Sequence, residues 1–209
     1  MTSSDRRDFG IALAAMTVVV LASNILVQYP FRAWGLHDYF TWGAFTYPFS
    51  FLVTELANRR FGPKVARRIV YVGFALAVVL SIILATPRIA IASGSAFLTA
   101  QLLDISIFSR LRNRAWWLPP FASSTISAAL DTMIFFSVAF YCGTLPGTGQ
   151  TIEGLLGHIG IPGTCFALPW VTLALADYGV KLFLSVFSIL PYGLVLRIMR
   201  PDLMRRSIA

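Results

Sequence analysis

Charge is scarce in this chain. Of 209 residues only 12% are Asp, Glu, Lys or Arg, and of these only 9 are acidic. There are 2 cysteines and 2 histidines, which leaves little for a metal centre or a disulfide framework. No P-loop is present, so the chain does not itself hydrolyse ATP. HExxH, Cys/His metal spacing and a GxGD-like aspartyl pair are also missing, and His37 and His158 both fall between apolar runs. No catalytic residue, metal site or cofactor is expected, and the chain reads as a non-enzyme.

What is present is apolar. Hydrophobic residues make up 57% of the chain, and the mean hydropathy is +0.73. That is a membrane composition, with the lipid bilayer as partner. The net charge of +8 does not point to nucleic acid, because the basic residues lie in short stretches between apolar runs and no nucleic-acid-binding module is recognisable.

A crossing needs about 20 predominantly apolar residues. Six such spans are expected, at residues 9–28, 41–58, 68–86, 88–108, 119–142 and 169–197, within a single domain covering 1–209. The fold class is an all-α integral membrane protein, a bundle of six transmembrane helices. Pro48 falls inside the second span and removes a backbone donor, which makes that span the candidate for a break. The first span follows Arg6 and Arg7 and lacks a small-residue cleavage site, so it reads as an uncleaved helix rather than a signal peptide.

Basic residues predict the orientation. Arg6, Arg7, Arg59, Arg60, Lys64, Arg67, Arg68, Arg110, Arg112, Arg114, Arg197, Arg200, Arg205 and Arg206 share one side if there are six crossings. The other side has Arg32 and Arg88. By the positive-inside rule both termini are cytoplasmic, in a bacterial inner membrane. The outer segment, residues 143–168, has no Lys or Arg and is long for a loop. Cys142 and Cys165 bracket it, and pairing and two free thiols are equally open readings.

Against this background a few charges stand out. Asp131 is central in the fifth span, where a carboxylate costs roughly 2.5–3.5 kcal/mol on insertion scales. Lys181 lies at comparable depth in the sixth, roughly 18 Å along by helical rise, and the two are expected to pair across the bundle. Asp177, four residues earlier, shares the face of Lys181. Glu55 and Asp104 are nearer the cytoplasmic surface, where pairing with Arg59, Arg60 or Arg110 competes with a functional role. Gln101 and Asp104 share one face of the fourth span. Ser123, Ser124, Thr125 and Ser127 give the fifth a polar start, for which close helix packing is the simpler reading. Tyr47 and Phe49, beside Pro48, are candidates to shape a slot for a flat ring.

Several stretches carry a resemblance. Residues 41–62, followed by Ala66-Arg67-Arg68, form a second-span signature. Then come residues 88–93, residues 101–112 with Gln101 and Asp104, and Trp116-Trp117-Leu118-Pro119. Ser123-Ser124-Thr125 leads to Asp131-Thr132, and Asp177 and Lys181 precede Pro191-Tyr192. In this order they resemble the YhhQ-like vitamin uptake transporter family of bacterial queuosine precursor transporters, over nearly the whole chain except residues 143–168. The resemblance implies import of 7-cyano-7-deazaguanine, and of its aminomethyl analogue, for tRNA modification. It implies polar contacts from Glu55, Gln101, Asp131 and Lys181, with Tyr47 and Phe49 shaping the slot and Asp104 and Ser127 nearby. The family pattern often has Asp where this chain has Glu55, and an amide where it has Ala128.

A self-sufficient secondary transporter is the leading expectation. The alternatives are the substrate-binding membrane subunit of an ATP-driven complex, which leaves an ATPase module open as a partner, and a membrane enzyme of unknown activity. A homodimer is the preferred oligomer, and no direct contact with nucleic acid is expected.

Overall fold

The computed structural model describes residues 3–33, 40–140 and 170–199. Trp34, His37, Cys142, the segment 143–168 with His158 and Cys165, and Arg200, Arg205 and Arg206 lie outside the described residues. Seven helices are described: α1 (Ser3–Leu26), α2 (Trp42–Thr46), α3 (Phe49–Phe61), α4 (Pro63–Leu84), α5 (Pro87–Leu111), α6 (Leu118–Phe140) and α7 (Trp170–Met199). Five of them, α1 and α4 to α7, are long and apolar enough to cross a membrane. The remaining pair, α2 and α3, fall within the second expected span and are interrupted at Tyr47 and Pro48. The chain is an all-helical, multi-pass membrane protein.

The interruption follows from Pro48. With no N–H it cannot bond the carbonyl of Ala44, and the backbone tightens instead of continuing. Tyr47 and Pro48 keep helical dihedrals (φ −55°, ψ −44° and φ −60°, ψ −20°). The next bonds run over three residues: Ser50 N–H donates to Tyr47 O at 2.9 Å, and Phe51 N–H donates to Pro48 O at 3.1 Å. Tyr47 is thereby held at the joint. The start of α2 is pinned to the end of α1 by a Pro30–Thr41 bridge, with Phe31 N–H on Phe40 O and Trp42 N–H on Tyr29 O.

Two glycines set the path of this span. Gly43 lies so close to α1 that a Cβ there would stand 2.8 Å from the Val27 backbone. Gly62, at φ +86°, ends α3 and turns the chain into α4, whose first residue is Pro63.

The bundle is polar inside and apolar outside. Its lipid-facing rim carries Ile82, Ile83, Phe183, Leu190 and Ile198, all well exposed, as expected where the surrounding solvent is hydrocarbon. Inside, α1, α3, α4 and α5 meet through Met16, Val20, Ala57, Ala66, Ile69, Val70, Phe97 and Ile105. In lipid such contacts hold through close van der Waals packing rather than expulsion of water. Glu55, Gln101, Asp104, Asp131 and Lys181 are all buried. An interior of this kind is costly in a membrane and marks a candidate functional site.

A cavity and two acidic clusters

Asp131 stands on α6 with Lys181 opposite it on α7. The ammonium donates to Asp131 Oδ2 at 2.8 Å and to Thr132 Oγ1 at 3.1 Å. Its third bond goes to Asp177 Oδ2, one helical turn away on α7. Thr132 also donates to Asp177 Oδ2, at 2.8 Å. From the joint of the broken span the Tyr47 hydroxyl donates to Asp131 Oδ1 at 2.7 Å, while Lys181 Nζ lies 5.7 Å from the Tyr47 ring centroid. Three helices therefore converge on one carboxylate.

This cluster forms part of the wall of a cavity of about 320 Å³, at the lower end of the range typical of small-molecule sites. Asp131, Asp177, Lys181 and Tyr47 supply its polar side, and Phe97, Phe135 and Phe136 are among its aromatic walls. Asn24 adds an amide, held by a bond to Val20 O and accepting from Ser81. The lining comes from the C-terminal halves of α1, α4 and α6 and the N-terminal halves of α5 and α7, together with α2. The cavity thus opens within one half of the bundle. The arginines at 59, 60, 110, 112 and 114 lie at the opposite end.

Its charge is unbalanced. Two aspartates face one lysine, and the three protons of Lys181 are all engaged. Asp177 Oδ1 has no hydrogen-bond partner among the described residues, and the Asp177 side chain keeps 17% exposure. The cavity accordingly offers hydrogen-bond acceptors and a negative charge in excess. A ligand rich in N–H groups satisfies the acceptors, and a cationic one also balances the charge.

The other sequence candidates lie elsewhere. Phe49, Glu55, Gln101, Asp104 and Ser127 are absent from the cavity lining. Gln101 ties α5 to α3: its amide donates to Ser50 Oγ at 2.8 Å, and its carbonyl accepts from Thr54 at 2.7 Å. Glu55 accepts from Ser123 at 3.3 Å and from Ser124. Asp104 is fully buried, and neither of its carboxylate oxygens has a hydrogen-bond partner among the described residues. Ser127 is buried with an unpartnered hydroxyl.

The arginine pairing considered for Glu55 and Asp104 is not found. Arg59 instead donates to Tyr192 Oη at 2.8 Å and to Arg112 O at 2.7 Å, while Arg112 returns a bond to Arg59 O at 2.6 Å. Arg60 reaches across to Asp5 and Asp8 of α1. Arg59 is itself buried, at 4% exposure, and Tyr192 with it, whereas the Arg60 cluster with Asp5 and Asp8 is part-exposed. Asp177, Phe97, Phe135 and Phe136 line the cavity and Thr132 bonds its lysine, though sequence reasoning named none of them as a ligand contact. For Asp177 the signal was its i,i+4 spacing to Lys181; the phenylalanines gave none by periodicity, since exposed Phe183 and Phe187 are of the same residue type.

Known proteins resemble this chain over most of its length. The family described as "Putative vitamin uptake transporter" matches residues 41–86 and 81–195. The "Queuosine precursor transporter" of Escherichia coli (strain K12) is 34% identical over 91% of this chain and 87% of its own. A "Probable queuosine precursor transporter" of Haemophilus influenzae is 34% identical over 86% of this chain and 83% of its own. Another of that name from Bacillus subtilis (strain 168) is 27% identical over 80% and 76%. No solved structure matches.

Proposed function

The chain belongs to the vitamin uptake transporter family, and on that premise we propose that it imports a 7-deazaguanine precursor of queuosine across a bacterial inner membrane. The observation that carries this reading is the Asp131 carboxylate, fixed by Tyr47 and Lys181 at the wall of an aromatic cavity. A deazaguanine is flat and presents two N–H donors beside a carbonyl. Such a donor edge suits the surplus acceptors of Asp131 and Asp177, and the flat ring suits walls made of Phe97, Phe135 and Phe136.

In this reading Asp131 and Asp177 meet the donor edge of the base, and Lys181 holds both carboxylates in place. Tyr47 orients Asp131 and closes the cavity from the joint of the broken span. Glu55, Gln101, Asp104, Ser127 and Phe49 act from outside the contact surface. The protein moves the base without chemical change, so it is a transporter and not an enzyme. It does so without an ATPase module.

Orientation follows from charge. The basic ends of the helices lie on the cytoplasmic side, with both termini, and the cavity lies in the outer half, where an incoming base arrives. The test is uptake of labelled 7-cyano-7-deazaguanine by proteoliposomes containing this chain alone. Saturable uptake that is abolished in Asp131→Asn supports the reading. Uptake that appears only with an added ATPase pair assigns the chain instead to an energy-coupling complex.

A further inference from the structure

A second acidic cluster lies on the opposite side of Tyr47 from the cavity. Glu55 on α3 is 1% exposed and Asp104 on α5 is 0% exposed. The bonds from Thr54 to Gln101 and from Asn58 to Ile105 O bracket the two on adjoining turns of α3 and α5. Neither forms an ion pair among the described residues. Among the described residues Asp104 has no hydrogen-bond partner on either oxygen, and the Ser127 hydroxyl, on the α6 face that holds Ser123 and Ser124, is equally buried and unpartnered.

The surroundings supply no full compensation. On α3 the nearest cation is Arg59, whose Nε and Nη1 are directed at Tyr192 of α7 and the carbonyl of Arg112. From α6 come only the hydroxyls of Ser123, Ser124 and Ser127. On the other side of α3, α1 and α4 pack through apolar residues and the Arg60–Asp5–Asp8 cluster. Lys181 is held within the cavity cluster. Two ionised carboxylates buried side by side would repel each other as well as lose their hydration.

A polar seam joins this pair to the cavity. Tyr47 bonds Asp131, then Ser50 and Thr54 bracket the Gln101 amide, and Glu55 follows next along the chain. The span from Tyr47 to Glu55 is eight residues, or roughly 12 Å of helix. Beyond Glu55 the polar line continues on α3 and α5, where the Asn58 amide donates to Ile105 O at 3.2 Å and to Ser109 Oγ at 3.1 Å.

We propose that Glu55 and Asp104 form an inner proton site, at which the pair binds one proton that accompanies the ligand through the bundle. The step is simple in balance: an O–H bond forms on one carboxylate with a proton drawn from water on the cavity side, and it breaks on release at the cytoplasmic end. A proton needs no vacant volume, which suits a pair packed among helices. The inference rests on the transport reading, but its tests separate the two.

Infrared difference spectroscopy of the purified full-length protein reads the proton directly, with no substrate present. A carbonyl-stretch band of a protonated carboxylic acid at neutral pH, lost in both Glu55→Gln and Asp104→Asn but kept in Asp131→Asn, is expected. Absence of that band in the unsubstituted protein overturns the proposal, whatever the protein transports. In proteoliposomes an inward pH gradient is expected to drive accumulation of labelled base at least tenfold above equilibrium. Glu55→Gln and Asp104→Asn are expected to lose that accumulation while retaining exchange of labelled for unlabelled base. Accumulation that follows a Na⁺ gradient and ignores the pH gradient overturns the proton assignment; failure of exchange in the unsubstituted protein refutes the transport reading instead.

Discussion

Lys181 on α7 holds Asp131 on α6 at 2.8 Å, and both side chains are almost fully buried. The same ammonium also holds Asp177, so one cation keeps two carboxylates folded into a membrane interior. Removing it leaves two uncompensated anions, whereas removing one carboxylate leaves a matched pair. The cluster is therefore asymmetric in its sensitivity.

Lys181→Ala is expected to lower stability by about 3–5 kcal/mol, the usual cost of breaking a buried pair from one side. Asp177→Asn is expected to cost far less. Adding Asp131→Asn to Lys181→Ala should recover part of the loss, since the double variant buries one charge fewer, with a coupling of about 0.5–3 kcal/mol. Thermal unfolding in detergent measures all of these; equal losses for Lys181→Ala and Asp177→Asn would contradict the arrangement.

The surplus negative charge sets ligand selectivity. A 7-deazaguanine with a carboxylate in place of the nitrile should bind at least ten times more weakly than the nitrile, because like charges across a buried contact cost several kcal/mol. The aminomethyl analogue, a cation, should bind at least as well as the nitrile. Asp177→Asn removes the surplus and should narrow the gap between the anionic and neutral ligands. Competition against a labelled base reads the order.

Gly43 lets α2 lie against the backbone of Val27, and both residues line the cavity. Gly43→Ala would place a methyl group 2.8 Å from that backbone, and backbone cannot swing aside as a side chain can. Overpacking of this kind typically costs about 1–3 kcal/mol. A weaker ligand affinity should accompany it, since the start of the broken span must shift. Gly10→Ala, where nothing stands within 4 Å, serves as the control and should change neither.

A fluorescent reporter fused after residue 209 should light up in living bacteria, as expected for a cytoplasmic C-terminus, and a phosphatase fused at the same point should stay inactive. The reverse pattern would place the basic helix ends outside and turn the cavity toward the cytoplasm.

The parts of this picture that were legible in the sequence are those governed by one-dimensional distance. Twelve residues into each of two facing spans put Asp131 and Lys181 at one depth, and the structure joins them. Pro48 marked the break in the second span because a missing N–H acts locally. What was illegible depended on how each helix is rotated about its axis. Glu55 was as good a candidate for the ligand as Asp131, yet it turns toward Ser123 and Ser124 and away from the cavity. Gln101 similarly serves as a brace between Ser50 and Thr54. Tyr192 shows the same limit, because its bond to Arg59 spans 133 positions in the chain and no local pattern announces it.

The most direct test of the account is calorimetric titration of 7-cyano-7-deazaguanine into the purified protein, beside Asp131→Asn and Glu55→Gln. The account predicts saturable binding to the unsubstituted protein, at least a tenfold loss in Asp131→Asn, whose carboxylate stands at the cavity wall, and little change in Glu55→Gln. Binding that is unaffected by Asp131→Asn but lost in Glu55→Gln would contradict it, and would move the ligand from the cavity to the inner cluster.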